Sequence, residues 1–155
     1  ADMYLGYAEA LCMCSDLDNA LTYLNKIRVR AGIPEYTFTA TAGKITCPKT
    51  QTDLLNRIRR ERLVELVFEW NRYFDVRRWK VAEGQNDPEH WIYPAYHTGG
   101  EGGKVYGMNM DKDYPAFFER TSFETRVAFT KKQYFMPIPY DDLRRIPSLV
   151  QNLGW

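Results

Sequence analysis

Apolar residues recur every three or four positions in two early segments, residues 2–14 and about 18–31. This spacing places them along one stripe of an α-helix. The first stripe holds Tyr4, Tyr7, Ala8 and Leu11, and the second holds Ala20, Tyr23, Leu24, Ile27 and Ala31. Gly32 and Pro34 then end the second helix. We therefore predict that residues 1–34 form a tetratricopeptide-like helical hairpin, a unit that needs stacked neighbours to cover its apolar face.

The strongest helical pattern lies in residues 51–80, where we predict one long helix that is continuous from about residue 52 to at least residue 72. Thr50 and Asp53 have the spacing of an N-terminal capping signature. Five apolar side chains fall within an arc of about 100° on this helix, and they are Leu63, Leu66, Val67, Trp70 and Phe74. Ile58, Phe68 and Val76 lie on other sides of the helix, so we expect it to be covered on more than one face.

The remaining segments contain little helical periodicity. Residues 35–50 are rich in Thr, Gly and Pro and predict a loop or a short hairpin. Residues 81–128 interleave glycines with aromatic residues and predict a long irregular loop region, with a short strand near residues 123–129. The predicted fold class is therefore mostly α, with long irregular loops.

Residues 129–155 predict an extended C-terminal strap, because Pro137 and Pro139 remove two backbone donors and exclude a helix interior or a central strand. Asp141 and Asp142 are expected to open a short helical turn after Pro139. The apolar residues of this segment predict that the strap packs on a folded body, and they are Ile138, Leu143, Ile146, Leu149, Leu153 and Trp155.

Composition narrows the class of protein. The 155 residues are 45% hydrophobic and 26% charged, as in ordinary globular domains. The 21 Lys and Arg nearly cancel the 20 Asp and Glu, so the charge does not indicate nucleic acid or an anionic membrane as a partner. No run of about 18 apolar residues is present to span a bilayer.

Cys12, Cys14 and Cys47 lack the spacing of a disulfide framework or a zinc site, so we predict packing roles for them.

Two groups of residues are candidates for chemistry. Glu65 and Glu69 stand one helical turn apart beside Arg62 and Arg72, an arrangement that fits a pair of acid/base carboxylates, two metal ligands or an ion network between helices. We predict the network, because flanking guanidiniums satisfy carboxylates and lower their pKa values. His90 and His97 have no metal-ligand or triad spacing, and Gly102–Gly107 lacks the phosphate-loop spacing. We therefore predict no catalytic residue, no metal and no cofactor.

The aromatic residues of the 81–128 region remain as candidates for recognition. Flat rings can stack on the apolar face of a pyranose while neighbouring polar side chains bind its hydroxyls. The same rings could instead anchor a long loop to the body of the protein. On the first interpretation the ligand-binding candidates are Trp91, Tyr93, Tyr96, His97 and Tyr106.

Three ordered stretches resemble the SusD/RagB family of outer-membrane glycan-binding lipoproteins. The first is "YAEA" followed by "LNKIRVRAGIP", and the last is the "PIP" of residues 137–139 with the "QN" of residues 151–152. The family hallmark matches Glu61, Arg62, Glu65, Leu66, Phe68, Glu69, Arg72, Asp75, Val76, Arg78 and Trp79. The chain departs from the family pattern at Trp70 for the usual Gly, Ile146 for Asn, Leu153 for Pro and Trp155 for Tyr.

The resemblance implies a mostly helical protein on a tetratricopeptide-like scaffold. It implies that an N-terminal lipid, absent from this chain, anchors the protein at the outer cell surface. The implied partners are an oligosaccharide or polysaccharide, captured without cleavage, and a TonB-dependent, SusC-like transporter. It further implies that residues 1–155 are the C-terminal part of a longer protein. The matching motifs belong to the scaffold, so no family binding residue can be assigned here.

Two alternatives to glycan capture remain open. One is a helical-repeat module for protein–protein interaction without a glycan site in this chain, in which the aromatic loop is an interface. The other is an enzyme, which would need Glu65 or Glu69 for catalysis.

Overall fold

A computed structural model describes residues 1–82, 104–125 and 129–155 and has the mostly helical fold that the sequence predicts. Its helices are α1 (Asp2–Met13), α2 (Leu17–Arg30), α3 (Gln51–Glu65), α4 (Asn71–Arg78) and α5 (Tyr140–Arg145). Its strands are β1 (Tyr36–Thr37), β2 (Ile45–Thr46), β3 (Lys104–Met108) and β4 (Arg120–Thr125). Among the described residues, 1–75 belong to one compact unit and the others to a second.

The predicted helical hairpin is confirmed in the first unit. The side chain of Asp16 caps α2 by accepting a hydrogen bond from the backbone N–H of Asn19 at 3.3 Å. α1, α2 and α3 pack together through a fully buried cluster of Leu5, Ala8, Cys12, Ala20, Leu24, Ile27, Leu54 and Ile58. The stripe predicted for α1 is partly wrong, because Tyr4 and Tyr7 are about half exposed.

The prediction of one long helix is wrong, although Thr50 caps its start by accepting from the N–H of Asp53 at 3.2 Å. α3 ends at Glu65 and α4 begins at Asn71. In the turn between them Phe68 and Trp70 have φ values of 67° and 64°. These left-handed conformations cannot continue a right-handed helix.

A buried ion pair spans this break in the helix. In one straight helix Arg62 and Asp75 would lie about 20 Å apart along the axis. In the structure the Nε atom of Arg62 donates to Oδ2 of Asp75 at 3.0 Å, because the turn folds α4 back toward the end of α3. The chain therefore turns where the pair can form.

Residues 35–50 contain two very short strands, but they are not a hairpin. β1 and β2 pair in parallel, with Tyr36 opposite Ile45. The side chain of Asn25 fixes β1 from α2, since its Oδ1 accepts from the N–H of Tyr36 at 2.9 Å and its Nδ2 donates to the carbonyl of Tyr36 at 2.8 Å. Backbone groups of the edge strand are thereby satisfied by a side chain.

The second unit contains more regular structure than the sequence predicts. β3 and β4 form an antiparallel pair whose register shifts between Val105 and Tyr106. The strand predicted near residues 123–129 is present in part, but it begins earlier, at Arg120. Residues 109–119 connect the two strands and include one turn of 3-10 helix at Ala116–Phe118.

The C-terminal strap is held mainly by polar side chains. The amide of Gln151 accepts from the N–H of Ile138 at 2.8 Å and donates to its carbonyl at 3.0 Å. The indole N–H of Trp155 donates to the carbonyl of Lys132 at 2.9 Å. The predicted helical turn after Pro139 is confirmed as α5. The predicted apolar packing is wrong for Leu153, which is 92% exposed, and Ile146 and Trp155 of the same prediction are about half exposed.

Candidate functional site

Most of the predicted ligand-binding residues lie outside the described part of the chain. This applies to Trp91, Tyr93, Tyr96 and His97. Tyr106 lies in β3, where its backbone pairs with Ser122 of β4. Their role in binding stays a prediction.

Buried ion pairs connect the elements of the first unit. Arg62 binds Asp75 with both a 3.0 Å and a 3.2 Å hydrogen bond, and the two side chains are each 6% exposed. Nη2 of Arg62 also lies 2.8 Å from Oδ1 of Asp2 at the start of α1. Arg28 of α2 binds Glu61 of α3 at 2.7 Å, again with both side chains buried. An ion network between helices is therefore confirmed, and α1 to α4 all contribute to it.

The members of this network differ from those that the sequence predicts. Glu65 pairs with Arg30 of α2. Glu69 lies in the exposed turn after α3, so the two carboxylates do not share the face of one helix. Glu61 and Asp75 take the buried positions instead. Sequence spacing could not identify Asp75, since its approach to Arg62 depends on the turn at residues 66–70.

The cysteines divide into two classes. Cys12 and Cys47 are buried, as predicted, and burial raises the pKa of each thiol. These thiols are therefore protonated near neutral pH and are poor nucleophiles. Cys14 is exposed, so its predicted packing role is wrong. Within the described ranges no group of His, Cys, Asp and Glu side chains is arranged to hold a metal ion.

The turn between α3 and α4 forms a groove, which we call the corner groove. It has a volume of about 390 Å³. Its lining residues are Arg62, Leu63, Leu66, Val67, Phe68, Trp70, Arg72, Tyr73 and Asp75. A volume above about 300 Å³ is sufficient for a ligand or for a group of side chains.

The corner groove is apolar at its mouth, and two of its charged side chains bind one another. Phe68 is 95% exposed and Trp70 is 85% exposed at its edge. The guanidinium of Arg62 and the carboxylate of Asp75 bind one another. An occupant of this groove would therefore gain apolar contacts from it, and little new hydrogen bonding to that pair.

A second exposed group of rings lies in the second unit, at residues 108–118, which we call the aromatic turn. Tyr114 is 82% exposed and Phe118 is 64% exposed. Their ring centroids lie 6.2 Å apart with an interplanar angle of 83°. Phe117, which is half-buried, packs edge-to-face against Phe118 at 5.2 Å. The face of one exposed ring thus stands beside the edge of the other.

Polar side chains stand close in sequence to the exposed rings of the aromatic turn. Asp111, Lys112 and Asp113 are all exposed and precede Tyr114 directly. Asn109 accepts a hydrogen bond from the N–H of Asp111 through its side-chain oxygen at 3.3 Å. Rings with hydrogen-bonding groups at their rim are the usual composition of a small-molecule recognition site.

The aromatic turn lies within the 81–128 region, but its rings are not among the five ligand-binding candidates, and the corner groove was not predicted. The alternation of polar and aromatic residues in "MNMDKDYPAFF" is a signal for the aromatic turn. The signal for the corner groove is position 70, where the SusD/RagB pattern has Gly and this chain has Trp70. Because Gly favours positive φ, a Gly in that pattern indicates a backbone turn at this position.

Comparison with known proteins identifies one family. The model of the SusD family matches residues 1–155. No curated protein matches the chain. Within the described residues, no helix has the length and apolar character needed to cross a membrane.

Solved structures of SusD-like proteins have the same fold. A SusD-like protein (BF3747) from Bacteroides fragilis NCTC 9343 is 28% identical, with a TM-score of 0.67, over 99% of this chain and 24% of its own. A protein named BT4246 is also 28% identical, with a TM-score of 0.65, over 99% of this chain and 23% of its own. The chain therefore spans about a quarter of the length of these relatives.

Proposed function

Because this chain belongs to the SusD family, we propose that it acts in a non-catalytic, cell-surface protein that captures oligosaccharides for import. The observation that carries the proposal is the family match, which extends over all 155 residues. We further propose that the captured glycan passes to a TonB-dependent, SusC-like transporter in the outer membrane, and that a lipid holds the protein at that membrane.

Capture without cleavage needs reversible contacts rather than a reactive group. An aromatic ring removes water from the C–H face of a pyranose, and polar side chains exchange hydrogen bonds with its hydroxyls. We propose Trp91, Tyr93, Tyr96, His97 and Tyr106 as such contacts. No cofactor takes part in this mechanism.

Isothermal titration calorimetry with neutral oligosaccharides tests the proposal. Suitable probes are maltoheptaose, cellohexaose, xylohexaose, mannohexaose and laminarihexaose. We expect at least one probe to bind and to be recovered uncleaved. Trp91→Ala and Tyr96→Ala should each weaken that binding. Binding that survives both substitutions would remove these two residues from the site. Release of new reducing ends, abolished by Glu65→Gln, would favour an enzyme instead.

The corner groove favours a second candidate function, a helical-repeat module that binds another protein. Its apolar mouth, with Phe68 and Trp70 exposed, fits an apolar side chain from another polypeptide better than a sugar. Biolayer interferometry with a purified SusC-like transporter tests this candidate. Transporter binding that Trp70→Ser abolishes, in a protein that binds none of the five glycans, would favour it over glycan capture.

A further inference from the structure

We propose that the aromatic turn is itself a carbohydrate contact, in which Tyr114 and Phe118 stack against one pyranose ring of a neutral glycan. The inference rests on the proposed function, since it assigns residues to the capture of an oligosaccharide. The proposed contact uses Tyr114 and Phe118, which are not among the five ligand-binding candidates predicted from the sequence.

The two rings are exposed to solvent. Tyr114 is 82% exposed, so its ring does not anchor the turn to the body of the unit. Phe117 differs from these two rings, because it is half-buried and packs edge-to-face against Phe118. Exposure therefore selects Tyr114 and Phe118 as the rings of this turn that a ligand can contact.

The backbone holds the exposed rings in a defined geometry before any ligand arrives. The N–H of Phe117 donates to the carbonyl of Asp113 at 2.9 Å, and the N–H of Asn109 donates to the carbonyl of Phe117 at 3.0 Å. These bonds close the turn at both ends of the Tyr114–Phe118 segment. A preorganised site loses less conformational entropy on binding than a mobile loop.

The angle between the rings fits a sugar better than a flat aromatic ligand. At 83° the face of one ring and the edge of the other meet as two walls of a notch. A pyranose can place its C–H face on one ring and its rim against the other. A planar aromatic ligand would stack on only one of them.

Polar groups at the rim complete the chemistry. The carboxylates of Asp111 and Asp113 are exposed, and neither has a hydrogen-bond partner among the described side chains. Carboxylates and the phenol of Tyr114 can bind vicinal hydroxyls, and Lys112 offsets only part of the negative charge of Asp111 and Asp113. These groups favour a neutral or weakly charged glycan over a strongly acidic one.

Calorimetric titration of Tyr114→Ala and Phe118→Ala with the same five oligosaccharides tests the inference. For a probe that the wild-type protein binds, each substitution should weaken binding about tenfold. Tyr114→Phe keeps the ring and should lose no more than about threefold. In the wild-type complex, stacking should also shift the pyranose C–H proton resonances upfield, a ring-current effect that a merely structural role would not produce.

Tyr140→Ala is the matched control, because Tyr140 is a similarly exposed tyrosine in the same unit and outside the aromatic turn. It should bind as the wild type does, and circular dichroism should show all variants folded. If the wild type binds a probe and both alanine variants retain its affinity, the inference is overturned while the proposed function stands. If the wild type binds none of the probes, both are overturned.

Discussion

The corner groove and the aromatic turn both expose large rings to solvent, but their polar groups differ. In the corner groove the charged pair of Arg62 and Asp75 is already satisfied internally. In the aromatic turn Asp111 and Asp113 are exposed to solvent and belong to the same turn as the rings. Exposed aromatic surface alone therefore does not define a ligand. In our two proposals, the state of the neighbouring polar groups separates the surface assigned to a protein partner from the one assigned to a sugar.

The two regions also differ in how the backbone presents the rings. Trp70 and Phe68 extend from a turn in which both residues have positive φ. Phe118 extends from a single turn of 3-10 helix closed by backbone hydrogen bonds. The corner groove thus depends on a tertiary ion pair and a costly backbone conformation, whereas the aromatic turn is held by local bonds.

The largest expected effect is the loss of the ion pair within the corner groove. Arg62→Ala should lower the free energy of unfolding by about 3–5 kcal/mol, because it removes the guanidinium that binds the buried carboxylate of Asp75. Urea denaturation followed by circular dichroism measures this change. If the groove is built on the pair, the same substitution also disrupts its shape.

Lys49→Ala is the control for this experiment. Lys49 binds Asp18 at a similar distance, 2.7 Å, but both side chains are more than half exposed. Its removal should cost no more than about 1 kcal/mol. Equal losses for Arg62→Ala and Lys49→Ala would contradict the view that the turn after α3 depends on burial of the Arg62–Asp75 pair.

A smaller effect is expected from the backbone of the same turn. Trp70→Gly should stabilise the protein by about 1 kcal/mol, because a non-glycine residue at positive φ costs about 1–2 kcal/mol and part of that gain is offset by the entropy of Gly in the unfolded chain. Little packing is lost with a side chain that is so exposed. Thermal unfolding monitored by calorimetry measures the change.

Val67→Gly is the matched substitution, since Val67 lies in the same turn and has no positive φ. It should destabilise the protein by about 1 kcal/mol. A loss of stability in Trp70→Gly as well would show that the indole contributes packing, and the contrast between the two surfaces would then weaken.

Local signals in the sequence predict much of this fold. The hairpin of α1 and α2, the cap at Thr50 and the short helix after Pro139 all follow from capping residues, periodicity and proline. The turn after Glu65 does not follow from such local signals, because Trp and Phe have no intrinsic preference for positive φ. The long-range pair of Arg62 and Asp75 compensates for that conformation, and periodicity carries no information about it.

The surfaces were harder to predict than the helices for the same reason. An apolar arc on a helix predicts burial only if a partner covers it, and in the described structure Val67 and Trp70 of the predicted arc are exposed. On α1 the buried stripe contains Leu5 and Cys12, and the tyrosines that the pattern selected lie beside it. Large aromatic residues fit both a core and a surface, so their spacing alone does not decide between them.

The smallest expected effect is a change in the binding of one apolar dye. This dye compares the two surfaces directly. 1-Anilinonaphthalene-8-sulfonate should bind the corner groove, so the double substitution Phe68→Ser and Trp70→Ser should weaken dye binding about threefold, by loss of apolar contact area. The double substitution Tyr114→Ser and Phe118→Ser should leave dye binding unchanged and should lower oligosaccharide binding instead. Fluorescence titration and calorimetry give the two readouts. If both double variants lose both ligands equally, the state of the polar neighbours does not distinguish the surfaces.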